Sequence, residues 1–371
     1  KSFLHVVKSE IDLPEDVNLY DDRVYEKARE NLSNFLNQGI IFQEKEPCYY
    51  VYGQTMGDHK QYGIAACVSV EDYESERVKK HELTREDKEI DRTKHIDIVN
   101  AQCGPILMIY KAEDVIDEVV KEVVHHAPEY DFVADDGIRH TVWVVADRAK
   151  VKKIEAAFSG VEYLYIADGH HRTASAARVA KKRRAENPEH KGKEEYNYML
   201  AVLFPDNQVK ILDYNRAVVD LSGMNEHTFF EKISERFTIT SDFTARSPKE
   251  SHAFGMYLGG KWYKISAKED SFDKHDAVGS LDVSILQNNI LGPILGIGDV
   301  RTDKRITFVG GIRGMNELER LVDSGEYAVA FSLFPTTVRQ LIDVADAGKI
   351  MPPKSTWFEP KLRSGVFIHL L

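Results

Sequence analysis

The sequence predicts a mixed α/β fold, and three observations point to it. Apolar residues at helical spacing alternate with short apolar, strand-like runs along all 371 residues. Glycine and proline are spread evenly, so no flexible linker separates a helical half from a strand half. Hydrophobic content of 43% with 29% charged residues is that of a globular chain with a sizeable core, which excludes disordered, collagen-like and low-complexity classes.

Taken in order, a helix is expected over 20–37, where Val24, Ala28, Leu32, Phe35 and Leu36 share one face. Strands over 48–55 and 61–70 meet at Gly57-Asp58, and segment 78–101 reads as a very polar helical stretch, whole or broken. A strand over 105–110 leads to a helix over 113–125. Segments 130–134 and 140–145 form a hairpin around Asp136-Gly137. A helix over 151–158, a short buried strand over 163–167 and an Ala-rich helix over 173–185 follow, then a hairpin of 197–204 with 209–214. Beyond Asn215 the pattern gives a helix over 227–237, strands 255–258 and 262–266 around Gly259-Gly260, and a helix over 280–291. The run strand 305–309, helix 315–324, strand 328–334, helix 336–347 suggests a crossover unit, and 365–371 is a short strand. The expected organisation is an α/β region over 1–215 and a further α/β region over 216–371 that completes the site.

Forty-nine Lys and Arg against sixty Asp and Glu give a net charge of −11, which argues against a protein built to grip nucleic acid. A local basic pocket for a phosphorylated small molecule remains compatible with it. Cys48, Cys67 and Cys103 are far apart and odd in number, so they read as reduced thiols rather than a disulfide or zinc framework. No signal segment and no apolar run of the ~18 residues needed to span a bilayer is visible, so a cytoplasmic chain with no membrane partner is expected. The chain starts at Lys1 rather than methionine, and a stretch removed or missing ahead of it is expected.

The sharpest local feature is Asp168-Gly169-His170-His171-Arg172-Thr173, where a strand runs through a glycine into a helix. A helix start offers unpaired N–H groups and the positive end of the helix dipole to an anion. Gly169 permits a sharp turn, and Arg172 brings a fixed fork of donors suited to phosphate. His170 and His171 can relay protons, and Asp168 can act as a base, hold a metal or orient a histidine. The plainer alternative is that Asp168 caps the helix and the histidines fill space.

A second feature is the stretch holding His81, Glu82, Arg85, Lys88, Arg92 and His95, which as one helix would carry a continuous basic stripe. Here His-Glu-Leu-Thr-Arg lacks the second histidine of a zinc-protease motif. A solvated helix held by ion pairs is the alternative reading. The third feature is the proline-stiffened 351–361, where Lys354, Ser355, Thr356 and Lys361 can donate to phosphate; a surface loop is its alternative. The near-match Gly255 to Lys261 is followed by Trp262 where a P-loop needs Ser or Thr, and it is rejected. No Rossmann glycine pattern, nucleophile elbow or protein-kinase motif set is present.

The segments SFLHV, CYYVYGQTMG, KKHELTREDK, HIDIVNAQCGP, YIADGHHRTASAARV, SLDVSILQNNILGPILGI and MPPKSTWFEPKLRSG together resemble one bacterial and archaeal family, the domain of unknown function 1015 proteins. The DGHHR turn is similar to the phosphate-binding turn of the ParB and sulfiredoxin superfamily, some of whose relatives are free-serine kinases. The resemblance implies a ParB/sulfiredoxin-like phosphate-binding core with an additional α/β C-terminal region. It implies ATP or ADP with Mg²⁺, the nucleotide phosphates lying on Gly169, Arg172 and Thr173. It also implies phosphoryl transfer to a small hydroxyl metabolite, free L-serine among the candidates. His170, where sulfiredoxin has cysteine, speaks against sulfinate reduction. In this reading Asp168, His170, His171 and Glu82 are the catalytic candidates. His81, Arg85 and Lys354 join the cofactor-binding set, and no protein metal site is assigned. The alternatives are a non-catalytic nucleotide or phosphometabolite binder, and a metal-dependent phosphohydrolase using Asp168, His170 and His171.

Overall fold

A computed structural model of the protein describes residues 2–371. It divides into two compact units, Lys1–Val209 with Pro360–Leu371, and Lys210–Glu359.

The strands of the first unit, up to the point where the chain leaves it, are β1 (Tyr49–Met56), β2 (His59–Ser69), β3 (Val78–Lys79), β4 (Ala101–Gln102), β5 (Ile106–Tyr110), β6 (Tyr130–Val133), β7 (Arg139–Val145), β8 (Leu164–Asp168) and β9 (Tyr198–Pro205). Its helices are α1 (Leu4–Val7), α2 (Asp22–Asn37), α3 (Val70–Glu74), α4 (Glu86–Val99), α5 (Asp114–Val124), α6 (Arg148–Ser159) and α7 (His170–Glu186). Eight strands form one mixed sheet in the order β3-β8-β5-β9-β2-β1-β7-β6, in which β3 is parallel to β8 and β5 to β9. Central β5 is buried at every position, as its unbroken apolar run Ile-Leu-Met-Ile-Tyr requires. Ile116, Val119, Val120 and Val123 put one apolar stripe of α5 into the core with Val51, Ile64, Met108, Ile166 and Met199. Each such side chain contributes roughly 1.5–3 kcal/mol on burial. A second core joins Val6, Ala28, Leu32 and Phe35 to Val99, Ala101 and Cys103. Within α7 the small buried residues Ser175, Ala176 and Ala180 let that helix pack closely, which anchors the turn that precedes it.

The second unit contains β10 (Lys210–Leu212), β11 (Tyr214–Val218), β12 (Phe237–Thr240), β13 (Ala253–Leu258), β14 (Lys261–Ala267), β15 (Ile306–Gly310), β16 (Val329–Leu333) and β17 (Trp357–Glu359). Its helices are α8 (Glu226–Arg236), α9 (Asp282–Leu286), α10 (Met315–Asp323) and α11 (Val338–Asp346). Six strands form an antiparallel sheet in the order β12-β14-β13-β16-β11-β15, and β10 pairs with β17. Leu318 and Leu321 of α10 pack on Ala217, Tyr257, Trp262, Val309 and Ala330. The chain then returns to the first unit, where β18 (His369–Leu370) pairs with β4.

Three local expectations are corrected. Segment 78–101 is broken, into a strand, a loop, helix α4 and another strand. His81 and Arg85 therefore precede α4 and share no helical stripe with Lys88, Arg92 and His95. The expected hairpin of 197–204 with 209–214 does not form: β9 pairs with β2 and β5, while β10 and β11 pair within the second unit. The crossover β15–α10–β16 exists, but β11 lies between its strands, antiparallel to both. Among the described residues no helix is long and apolar enough to cross a membrane.

Candidate functional site

Strand β8 delivers Asp168 to the edge of the core, and Gly169 turns the chain with φ of 108° before α7 begins. This left-handed conformation favours glycine. A Cβ on Gly169 would also stand 2.8 Å from Nε and Nη2 of Arg172, because that guanidinium folds back over the turn. Asp168 is not the helix cap; α7 starts with no side-chain cap hydrogen bond at all. The first N–H groups of a helix have no partner within it and can receive an external acceptor.

The carboxylate of Asp168 is held from two sides. Arg172 Nη2 donates to Oδ2 at 2.9 Å, and Lys361 Nζ donates to Oδ1 at 3.1 Å. Burial raises the Asp168 pKa, but the charges of Arg172 and Lys361 outweigh it and the net shift is downward. Asp168 therefore stays ionised and serves to hold two cations in position. One cation's donors remain incomplete: Arg172 Nε is buried and has no partner. On its other side Arg172 passes Gly104, where an added Cβ would stand 3.8 Å from Nη1, an ordinary van der Waals contact. The backbone carbonyl of Lys361 accepts from Gln54 Nε2 at 3.0 Å, which fixes the C-terminal segment against β1. Thr173 is fully buried, and its hydroxyl donates to the Gly169 carbonyl at 3.2 Å.

Three histidines surround the turn. His81 is 1% exposed and meets the His170 ring edge-on, with centroids 4.5 Å apart. Burial lowers the His81 pKa to about 4. Burial, then the neighbouring His81, lowers that of His170 well below the usual range. Burial also lowers the pKa of His171, whose Nε2 accepts from the backbone N–H of Arg85 at 3.0 Å. All three rings are neutral at pH 7, so the positive charge of the site comes from Arg172 and Lys361. Glu82, part-exposed, brings Oε2 to 4.0 Å from His170 Nδ1.

Of the predicted residues, His81, Glu82, Asp168, Gly169, His170, His171, Arg172 and Thr173 stand together in the first unit. The Arg85 backbone joins them, while its guanidinium turns outward to Asp87 at 2.8 Å. Lys354 belongs to the second unit, where it packs over Tyr214. Lys361, a donor offered by the proline-stiffened segment, is here a partner of Asp168, a pairing that nothing in its spacing indicated. A further network in the first unit also has no sequence signature. Arg363 pairs with Asp136 and donates from Nε to His140 Nε2 at 3.1 Å. The other His140 nitrogen, Nδ1, meets the Tyr52 hydroxyl at 2.7 Å. A cavity of about 1270 Å³ in this unit has Phe3, Phe42, Tyr50, Phe132, Arg363 and Phe367 among its lining residues, and no residue of the Gly169 turn lines it.

His81, Glu82 and His170 offer three ligand atoms within 4.8 Å of one another. Two imidazoles and one carboxylate suit zinc-like or manganese-like cations better than Mg²⁺, which prefers oxygen donors. The oxygens of Asp168 are already engaged, so the residues here do not fit a protein-bound Mg²⁺. The metal-ligand group also differs from the expected Asp168, His170 and His171.

Comparison with known proteins gives a family and a set of distant structural matches. A model of the family described as "Protein of unknown function (DUF1015)" matches residues 1–284. No curated protein matches the chain in sequence. Among solved structures, a free serine kinase (E30Q mutant) in complex with AMP is 12% identical, with a TM-score of 0.40, covering 81% of this chain and 91% of that one. SbnI with C-terminal truncation from Staphylococcus aureus is 12% identical, with a TM-score of 0.41, covering 80% and 82%. A conserved hypothetical protein from Pyrococcus furiosus is 14% identical, with a TM-score of 0.37, covering 81% and 94%.

Proposed function

The chain belongs to the domain of unknown function 1015 family, and from that premise and the geometry of its Gly169 turn we propose a nucleotide-dependent phosphotransferase acting on a small hydroxyl metabolite. The observation that carries this reading is the uncapped start of α7 beneath Arg172, whose buried Nε lacks a partner. A buried donor left unmade costs about 1–3 kcal/mol, which a bound phosphate oxygen would recover. The terminal phosphates of ATP or ADP lie on the N–H groups of the helix start and on Arg172, with Lys361 adding charge.

Phosphoryl transfer needs positioning, charge neutralisation and an acceptor for the hydroxyl proton. Glu82 takes the proton: it is the part-exposed carboxylate beside His170. The acceptor oxygen forms a bond to the terminal phosphorus, and the bond to the bridging oxygen breaks, releasing the shortened nucleotide. Neutral His170 and His171 donate hydrogen bonds to the transferred group. Asp168 keeps Arg172 and Lys361 aimed at it and takes no proton. No step passes through a protein-bound Mg²⁺.

The test is incubation with ATP or ADP and a panel of hydroxyl metabolites that includes free L-serine, followed by phosphorus NMR. A new phosphomonoester signal, lost in Arg172→Ala, is the expected result. Unchanged nucleotide affinity in folded Arg172→Ala sinks the reading. Nucleotide binding without turnover favours the non-catalytic binder, a reading supported by the full engagement of Asp168. Release of inorganic phosphate alone favours the metal-dependent phosphohydrolase, with His81, Glu82 and His170 as its ligands.

A further inference from the structure

In the second unit, one row of the antiparallel sheet carries a charge where every neighbour is apolar. Arg216 on β11 stands opposite Phe308 on β15 and Phe331 on β16, and Phe331 stands opposite Met256 on β13. Phe331 and Met256 are fully buried, and Arg216 is only 3% exposed. Its guanidinium carbon lies 5.2 Å from the Phe308 ring centre and 5.8 Å from that of Tyr214. It makes one hydrogen bond, from Nη2 to the Lys354 carbonyl at 2.8 Å, and its buried Nη1 has no partner. No carboxylate pairs with it among the described residues, and burial lowers its pKa to about 10. A buried guanidinium without an anion is strongly unfavourable, and folded proteins seldom leave one so.

The loop that caps Arg216 brings a second cation. Lys354 adopts a left-handed φ of 60°, a conformation that costs a lysine strain and persists only where its surroundings hold it. Two hydrogen bonds hold this loop: Ser355 Oγ donates to the Pro352 carbonyl at 2.6 Å, and Thr336 Oγ1 donates to the Ser355 carbonyl at 2.8 Å. The result aims the Lys354 carbonyl at Arg216 and leaves its exposed ammonium 5.7 Å from the centre of the same Tyr214 ring.

We propose that Arg216 and Lys354 form an oxyanion site in the second unit that takes a phosphoryl dianion. The planar fork of Arg216 supplies directional donors, and Lys354 supplies a mobile point charge from the solvent side. Two cations match the charge of a phosphoryl dianion, whereas a monocarboxylate neutralises only one. The site stands on residues other than those of the Gly169 turn and does not depend on that turn's role.

The experiment titrates the full chain carrying Arg172→Ala with inorganic phosphate, and with acetate in parallel, by calorimetry. The expected result is one phosphate bound and acetate at least tenfold weaker. Adding Arg216→Met abolishes phosphate binding and raises the thermal midpoint, because an unpaired buried charge is gone. Adding Lys354→Met instead weakens phosphate at least tenfold, and since Lys354 is exposed this variant carries the test if Arg216→Met does not fold. No phosphate bound by Arg172→Ala overturns the proposal, as does undiminished binding in the folded double variants. Acetate binding as tight as phosphate overturns the dianion assignment. Failure of the Gly169 reading is seen separately, as unchanged nucleotide affinity in Arg172→Ala alone.

Discussion

Arg172 gains its importance from what it lies on. The guanidinium rests on Gly169, where any Cβ would clash with it, so that glycine is its seat. Gly169→Ala should cost about 1–3 kcal/mol through its positive φ and displace Arg172 as well. Denaturant unfolding and nucleotide titration of the same variant measure the two losses. The buried histidines set a pH dependence. His81 keeps a pKa of about 4 in the folded state against 6.5 unfolded. The unfolded chain therefore binds the proton first, and stability is retained above pH 6.5 and lost as pH falls toward 4. Its share is on the order of 3 kcal/mol. In His81→Leu the difference between unfolding free energies at pH 7 and pH 4.5 should shrink by about that amount; an unchanged slope contradicts the assignment. The residue types of this site were legible in the sequence because Asp, Gly, His and Arg are adjacent in the chain. The pairing of Lys361 with Asp168 was not, because it joins residues 193 apart, and no local spacing reports that contact.

At the level of elements, periodicity succeeded where burial is one-sided. The stripe on α2 buries Val24, Ala28, Leu32 and Phe35 as the spacing predicts. It failed for 78–101, where charge density looks helical throughout. The real boundary is Arg85, the residue ahead of α4, whose backbone N–H is taken by His171. Tertiary contact, not propensity, sets that start. The crossover helix α10 was read correctly, but a strand slipped between its flanking strands cannot be seen from a local pattern. Helix α11 begins with a capping box in which Thr337 and Gln340 bond reciprocally. Thr337→Ala should lower stability by about 1 kcal/mol, measured by urea unfolding, with phosphate and nucleotide binding unchanged.

Across the whole molecule, one unit is assembled from two distant stretches of chain. Pro360–Leu371 carries Lys361 to Asp168, Arg363 to His140 and β18 to β4. Deleting 360–371 should therefore lower the thermal midpoint and weaken nucleotide binding together, whereas Lys361→Ala should weaken binding with little loss of stability. Calorimetric scans and nucleotide titration separate the two.

That return of the chain also orders events during synthesis. Strand β4 leaves the ribosome some tens of seconds before β18 exists, at roughly 5–20 residues per second. For most of that interval Asp168 and Arg172 have been made and Lys361 has not. On the proposed reading a nascent chain thus carries a half-built anion cradle, and only a polypeptide translated past Pro360 can close it. The last cation to arrive works as a completeness check, so truncated products should be poor nucleotide binders from the moment of their release.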